Sequence, residues 1–383
     1  MLLFICVTFL APVGEMLFRS VDNSVLHDAL ADTRIALEEW DGEGLPPDAV
    51  FAGMFSDIKR GAPDKAITRV GQRLNFQISG VSSLFRKTAR AARKLPEEVA
   101  DPRAALIEIH KKWGEAEIWR GIKFFTGKYT GNYYLDAADF AYDPAEGGYE
   151  RRAEDRRVYI KLFWRTIVMS AAITLLTFLL GYPTAFLLAS LPAGRANLLL
   201  VFVLLPFWTS LLVRTTSWIV LLYREGVVND ILLASGVLQG AERWELIHNK
   251  TGTLVAMTHI LLPFMILPLY SVMKTIPPSY MRAARSMGAG AFTAFRRVYF
   301  PQTIPGIGAG AILVFILAIG YYITPELVGG SEGTFISNRI AYHVRSSGNW
   351  GLASALGLML LALVLLMYWC YDKIVGIDNM KLG

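Results

Sequence analysis

KTIPPSYMRAARSMGAGAFTAFRRVYFP, residues Lys274–Pro301, lies between two long apolar runs. It carries five basic residues, Lys274, Arg282, Arg285, Arg296 and Arg297, and no acid. Pro277 and Pro278 stop the preceding helix, and Ser279 suits the N-cap of a new one. The pattern predicts a short helix over Tyr280–Met287, ended by Gly288 in the left-handed conformation. A second short helix is expected over Phe292–Tyr299, before Pro301. Helix, glycine, helix and proline in so short a space describe a rigid knob, and Ala283 and Ala284 give it a small-residue face able to enter a shallow groove. A basic helix lying on anionic lipid is the alternative that charge alone favours.

Composition sets the class. Of 383 residues 54% are hydrophobic and 18% charged, which fits an all-α polytopic membrane protein with a soluble insert and not a soluble chain of this length. The net charge of +6 comes from basic loops beside membrane spans and does not imply nucleic acid. Cys6 and Cys370 sit in apolar runs near opposite ends, too few for a disulfide framework or a metal site. The five histidines are scattered without ligand spacing, and are read as surface or interface residues. No metal site and no catalytic residue is expected.

Outward from the basic loop, the apolar runs are expected to form spans over Trp164–Leu188, Leu198–Leu222, Leu254–Met273, Gly306–Ile323 and Leu352–Tyr371, each long enough for about 30 Å of hydrocarbon. Met1–Phe18 supplies a first span, for six in all. A cleaved signal peptide is the competing reading of that stretch, but Met1–Leu10 has no Lys or Arg. Glu15 is costly in lipid and should face protein or the interface. Residues 20–157 are polar and rich in helix formers. Helices are expected over Asn23–Trp40 and from Pro102 through Trp113, with Trp113, Trp119, Phe124, Tyr129, Tyr133 and Tyr134 supplying a small core, and Arg86, Arg90, Arg93 and Lys94 a solvated basic face.

Short-loop charge orients the spans. The Lys274–Pro301 loop is expected in the cytoplasm, and the mixed Tyr223–Thr253 loop outside. Both termini then fall inside and the 20–157 insert outside. The domain expectation is a first helix (1–19), a helical periplasmic insert (20–157), a five-helix core (158–375) containing loop 274–301, and a cytoplasmic tail (376–383). Asn249-Lys250-Thr251 matches a glycosylation sequon by chance.

Polar residues inside spans need a reason. LPFWTSLLVR, Leu205–Arg214, places Trp208, Thr209 and a full charge in the third span; Arg214 there costs about 3 kcal/mol unless it faces protein or water. Arg214 and Trp218 share a helix face, with Trp208 offset. GYYITPELVGG, Gly320–Gly330, adds Tyr321, Tyr322, Thr324 and Glu326 at the outer end of the fifth span. Aromatics with one carboxylate suit a small organic cation. Interfacial belt residues and a snorkelling Arg214 are the alternative.

The order Ala-Ala, three residues, Gly, nine residues, aliphatic, one residue, apolar, Pro, carried by Ala283, Ala284, Gly288, Val298, Phe300 and Pro301, resembles the EAA loop of ABC importer permeases. Arg282 stands where that family usually has Glu, and Phe300 where it has Leu. LPFWTSLLVRTTSWIVLLYREG, GYPTAFLL, FRRVYFPQTIPGI and ITPELVGG look like the spermidine/putrescine subfamily of these permeases. The similarity covers about Tyr159–Val375, and weakly the first span, and leaves the insert outside. It implies a permease subunit working by alternating access for polyamines. The partners it implies are a cytoplasmic ABC ATPase dimer, a second permease subunit as a heterodimer, and a periplasmic substrate-binding protein. Tyr280, Arg282, Ala283, Ala284, Gly288, Val298 and Pro301 would couple to the ATPase. No Walker A sequence occurs, so ATP and magnesium belong to the ATPase, and this chain is expected to be no enzyme and to bind no cofactor. Opines, amino-acid derivatives and organic anions remain open as substrates. A secondary transporter or a membrane-anchored sensor is the reading from another class.

Overall fold

The structure is a computed structural model describing residues 1–96, 99–239 and 242–375. The expected tail, 376–383, lies outside the described residues. The chain divides into two compact units: Met1–Ile160 with His343–Leu358, and Lys161–Tyr342 with the chain from Met359 onward.

In the first unit, residues 2–19 are helical throughout, with a π turn at Cys6–Leu10. Glu15 pairs with Arg19 one turn on, at 2.7 Å, which meets part of its desolvation cost. The following stretch is a small helical domain around Trp113 and Trp119, both fully buried. The Trp113 indole donates to Thr88 Oγ1 at 3.0 Å, and that of Trp119 to the Trp113 carbonyl at 2.8 Å. Neither ring is free to stack on a ligand. The expected Asn23–Trp40 helix is two, Ser24–Ala29 and Ala31–Glu38, because buried Leu30 leaves helical geometry at φ −114°, ψ 42°. The Pro102 helix is capped by Asp101, which accepts from Ala104 N at 2.9 Å, and stops at Ile109. His110 there is extended and its Nδ1 accepts from Lys112 N, so Trp113 belongs to a separate 3₁₀ turn. A hairpin not anticipated from the sequence pairs β1, Phe140–Asp143, with β2, Gly148–Arg151.

Asp139, buried and at φ 61°, precedes β1. Its carboxylate accepts from the N–H groups of Val158, Tyr159 and Ile160 at 3.0, 3.1 and 2.8 Å. It thereby satisfies three of the orphan donors that open the Tyr159–Ser190 helix, where a negative charge also meets the favourable end of the helix dipole.

Among the described residues four helices are long and apolar enough to cross a membrane: Tyr159–Ser190, Lys250–Thr275, Ala291–Gly320 and Trp350–Lys373. The expected straight third span, Leu198–Leu222, is corrected. Ala193–Trp208 and Leu211–Ala234 meet at a 95° bend. Its cause is local: after Pro206 the chain tightens into a 3₁₀ turn over Leu205–Trp208. Thr209 and Ser210 are then extended, and the Thr209 hydroxyl donates to the Pro206 carbonyl at 2.8 Å, replacing a helical bond by a side-chain one.

The expected separate helix Phe292–Tyr299 is corrected too. It is the start of one continuous helix, Ala291–Gly320, with a π turn at Phe295–Tyr299. Pro301 follows that turn after one residue, Phe300. A proline ring clashes with the carbonyl four residues back and offers no N–H, and the wider turn absorbs both faults without stopping the helix. The helix ends at Gly320, with Tyr321 extended, so the fifth span begins and ends earlier than Gly306–Ile323.

Lys250–Thr275 is the central helix of the second unit, and it packs on Ala291–Gly320 through glycines. A Cβ at Gly310 would lie 2.8 Å from Met265 Sδ and 3.2 Å from the Met265 carbonyl. One at Gly306 would lie 3.2 Å from the Pro268 carbonyl. Small residues let two backbones approach this closely where lipid offers no hydrophobic drive between helices.

Candidate functional site

The loop after Lys250–Thr275 is a helix, Pro278–Ser286, with Pro278 in its first turn, where a missing N–H costs nothing. Its end is a left-handed cap: Gly288 has φ 90°, Gly288 N donates to Arg285 O at 3.0 Å, and Ala289 N to Ala284 O at 3.1 Å. The two alanines are not equivalent. Ala284 is 5% exposed, turned with Met281 toward the chain's own core, while Ala283 is exposed. Arg282 and Arg285 are exposed, as are Arg296, Arg297 and Lys274. Among the described residues, no carboxylate lies within ion-pair distance of any of them. Tyr280 and Pro301 are exposed and Val298 half-buried.

What holds the loop is aromatic. Phe295 and Tyr299 stack at 5.7 Å, Phe186 meets both edge-on at 5.8 and 5.3 Å, and Tyr182 reaches Phe300 at 5.8 Å. The Tyr182 hydroxyl and Thr303 Oγ1 lie 3.2 Å apart. The π turn is thus fixed to the Tyr159–Ser190 helix, and the loop stands on a stiff base.

The polar residues of the spans fall into groups. Trp218, one turn along the same helix from Arg214, donates from its indole to His259 Nδ1 at 3.1 Å. Arg214 Nε is buried with no hydrogen-bond partner among the described residues. Thr215 and Thr324, both fully buried, have hydroxyls 3.2 Å apart. Asn338 donates to the Tyr322 carbonyl at 2.8 Å and to Glu326 Oε2 at 2.5 Å, and Ser337 to the Tyr321 carbonyl at 2.6 Å. Trp218 is therefore joined to His259, the helix that carries Arg214 and Trp218 meets Thr324 through Thr215, and Tyr322 and Glu326 are tied to Asn338 by the short helices after Gly320. Trp208 and Thr209 are not part of these groups; they sit exposed at the bend.

Sequence reasoning passed over His259 and Asn338. His259 was legible as an ionisable residue inside an apolar run, a functional signal in itself. Asn338 lies in a short helix with no hydropathy signal, and only the fold brings it to Glu326.

Several helices able to cross a membrane, a glycine-packed helix pair and a basic helical loop define a multi-pass membrane component. Residues 174–375 match the family model described as binding-protein-dependent transport system inner membrane component, and the chain belongs to that family. It is thus an inner-membrane transport component and not an enzyme. It is similar to the spermidine/putrescine transport system permease protein PotB of Haemophilus influenzae, 34% identical over 57% of this chain and 77% of that one. It is also similar to the inner membrane ABC transporter permease protein YdcU of Escherichia coli, 31% identical over 68% of this chain and 87% of that one. Among solved structures, a chain of the bacterial alginate ABC transporter in complex with alginate pentasaccharide-bound periplasmic protein matches with TM-score 0.50 and 17% identity, over 61% of this chain and 82% of that chain, a likeness of fold alone.

Proposed function

We propose that this chain is the permease subunit of an ATP-driven importer for polyamines such as spermidine and putrescine. The observation that carries the substrate is the similarity to spermidine/putrescine permeases over 57% of the chain. ATP and magnesium act on a separate ATPase dimer, which drives alternating access through Pro278–Ser286. A second permease subunit completes the path as a heterodimer, and a periplasmic binding protein delivers the solute. The arrangement has six spans, counting helical residues 2–19 as the first and the bent pair as one. Residues 20–157 form a periplasmic insert, loop 274–301 faces the cytoplasm, and so do both termini. Tyr321, Tyr322, Thr324 and Glu326 line the path with Arg214 and Trp218, with Trp208 and Thr209 at its bend.

The test is uptake of labelled putrescine and spermidine by cells expressing the full transporter, against a strain lacking this chain. Saturable uptake that unlabelled polyamine competes away is expected; uptake unaffected by removal of the chain overturns the reading. Arg214, with its buried unpartnered Nε, favours one further reading, a solute bearing an anionic group. Competition by organic acids instead of polyamines would decide for it.

A further inference from the structure

The contact between Trp218 and His259 has a chemical direction. An indole nitrogen can only donate, so the imidazole Nδ1 at 3.1 Å accepts. It accepts only while it carries no hydrogen, so the ring is neutral and its proton sits on Nε2. The rings are steeply inclined, at 68° with centroids 5.4 Å apart. The imidazole therefore meets the indole at its N–H edge and covers neither of its faces.

The surroundings leave that hydrogen bond without a competitor. His259 borders a cavity of about 350 Å³ whose other walls, among them Leu187, Phe202, Pro206 and Pro263, are apolar apart from Thr184. The Thr184 hydroxyl is spent on the Leu180 carbonyl at 2.8 Å. Tyr159–Ser190 and the chain leading to the bend thus bring no titratable group to this histidine. On its other side the helix Leu211–Leu222 carries one charge, Arg214, a turn before Trp218. Among the described residues neither His259 nor Arg214 forms an ion pair. An apolar residue at 259 would pack the two helices equally well, and an ionisable one inside a span asks for a use. What the apolar residue could not do is take the indole N–H.

The consequence falls on the Trp218 ring. The edge of an aromatic ring is positive and its faces are negative. A free N–H edge can turn toward an ammonium group and repel it. Held on Nδ1, it leaves the face as the surface on offer, and tryptophan binds a cation by its face better than any other side chain.

We infer that His259 is a positioning residue for the solute: by taking the indole N–H it fixes the Trp218 ring with a face open to an organic cation. The inference rests on the polyamine reading, in which Trp218 lines the path.

The test is the kinetics of labelled putrescine and spermidine uptake by cells expressing the full transporter with variants of this chain. His259→Leu should raise KM about 3- to 10-fold, with Vmax per folded chain within about twofold of wild type. His259→Phe keeps a flat ring without the acceptor and should do the same; either variant that folds suffices. His259→Asn can set its Oδ1 where Nδ1 stands, and should return KM to within about twofold of wild type. Trp218→Phe has no N–H to hold, so adding His259→Leu to it should change KM no further, which a double-mutant cycle reads directly. A histidine that only packs two helices gives the opposite pattern: less folded chain, unchanged KM and no rescue by asparagine. That pattern overturns the inference and leaves the polyamine reading standing. So does an equal rise in KM from His259→Leu in the wild-type and Trp218→Phe chains. Wild-type uptake that organic acids compete away and polyamines do not overturns the polyamine reading itself.

Discussion

The insert and the membrane helices solve the packing problem in opposite ways. In the insert the largest side chains are inside: Trp113, Trp119, Phe51 and Phe85 are fully buried, and their rings meet edge-on or tilted at 4.7 to 5.4 Å. In the second unit many large apolar side chains face outward, Trp164 at 68% and Leu198 at 61% exposure, while Thr166, Thr177, Thr303, Gly306 and Gly310 are buried. Water drives the first arrangement, because apolar area removed from it is the main favourable term. It is absent from the second, where leucine gains little by leaving lipid and close backbone contact supplies the attraction. Burial therefore means different things in the two units: a size filter in one and a smallness filter in the other.

Substitutions should obey that inversion. Trp113→Ala removes a fully buried ring and leaves Thr88 Oγ1 without its donor. It should cost the insert about 3–5 kcal/mol, read as rapid proteolysis within 20–157 at a temperature the wild type resists. Trp164→Ala, on the exposed side, should leave melting in a bilayer within about 0.5 kcal/mol. Equal effects of the two would erase the contrast. Gly310→Leu tests the other side: its side chain must enter the space of Met265, 2.8 Å from the Cβ position. About 1–3 kcal/mol of destabilisation is expected, measured by thermal aggregation in detergent, whereas Leu179→Ala on the outward face should do little.

The insert also holds a buried charge that can be read by pH. Asp136 is 2% exposed, and burial pushes its carboxyl up to about 6, although hydrogen bonds from Gln77 and the Arg152 guanidinium pull the other way. The folded state thus holds this proton more tightly than the unfolded chain. The group's contribution is most favourable below pH 4 and is lost as pH rises through 6. Asp136→Asn should therefore flatten the stability of the insert between pH 4 and 7, a difference on the order of 1–3 kcal/mol, visible in tryptophan-monitored melting at the two pH values. An unchanged slope would show that Asp136 keeps an ordinary carboxylate affinity.

What could be read from the chain follows the same division. Membrane helices announce themselves by continuous hydropathy, so their existence was plain from Trp164 onward. Their interruptions and ends were not, because Thr209 and Ser210 sit inside an apolar run and the π turn before Pro301 lies in the basic loop. The break depends on side-chain hydroxyls and ring sterics that hydropathy does not register. In the insert Trp113, Trp119 and Tyr133 marked a core, whereas Phe124 and Tyr129 are exposed, and Leu30 and His110 broke helices that periodicity carried straight through. The hairpin around Tyr142 and Tyr149 had no strand run long enough to see. At the loop, the glycine and prolines were legible, and which alanine faces outward was not. That choice depends on the phase of Pro278–Ser286 against Met281, Phe295 and Tyr299.

The loop belongs to neither packing regime, and Gly288 isolates its requirement. The residue stands at φ 90°, and a methyl group added to it would meet nothing within 4 Å, so Gly288→Ala introduces backbone strain and no clash. The strain is about 1 kcal/mol, too small to move global melting of a chain held by the Met265 contacts. It falls instead on the cap that joins Ala284 O to Ala289 N, and the last turn of Pro278–Ser286 should fray. The expected outcome is slower uptake, about two- to fivefold, with unchanged amounts of folded chain and unchanged solute binding by the periplasmic protein. Ala283→Leu should give the same loss of uptake through the docking surface with the cap intact, and Ala284→Leu should lower melting as well, because its side chain would grow into the core under Met281. If Ala283→Leu and Ala284→Leu behave alike in melting, the loop is docked on the opposite face to the one that the burial of Ala284 defines.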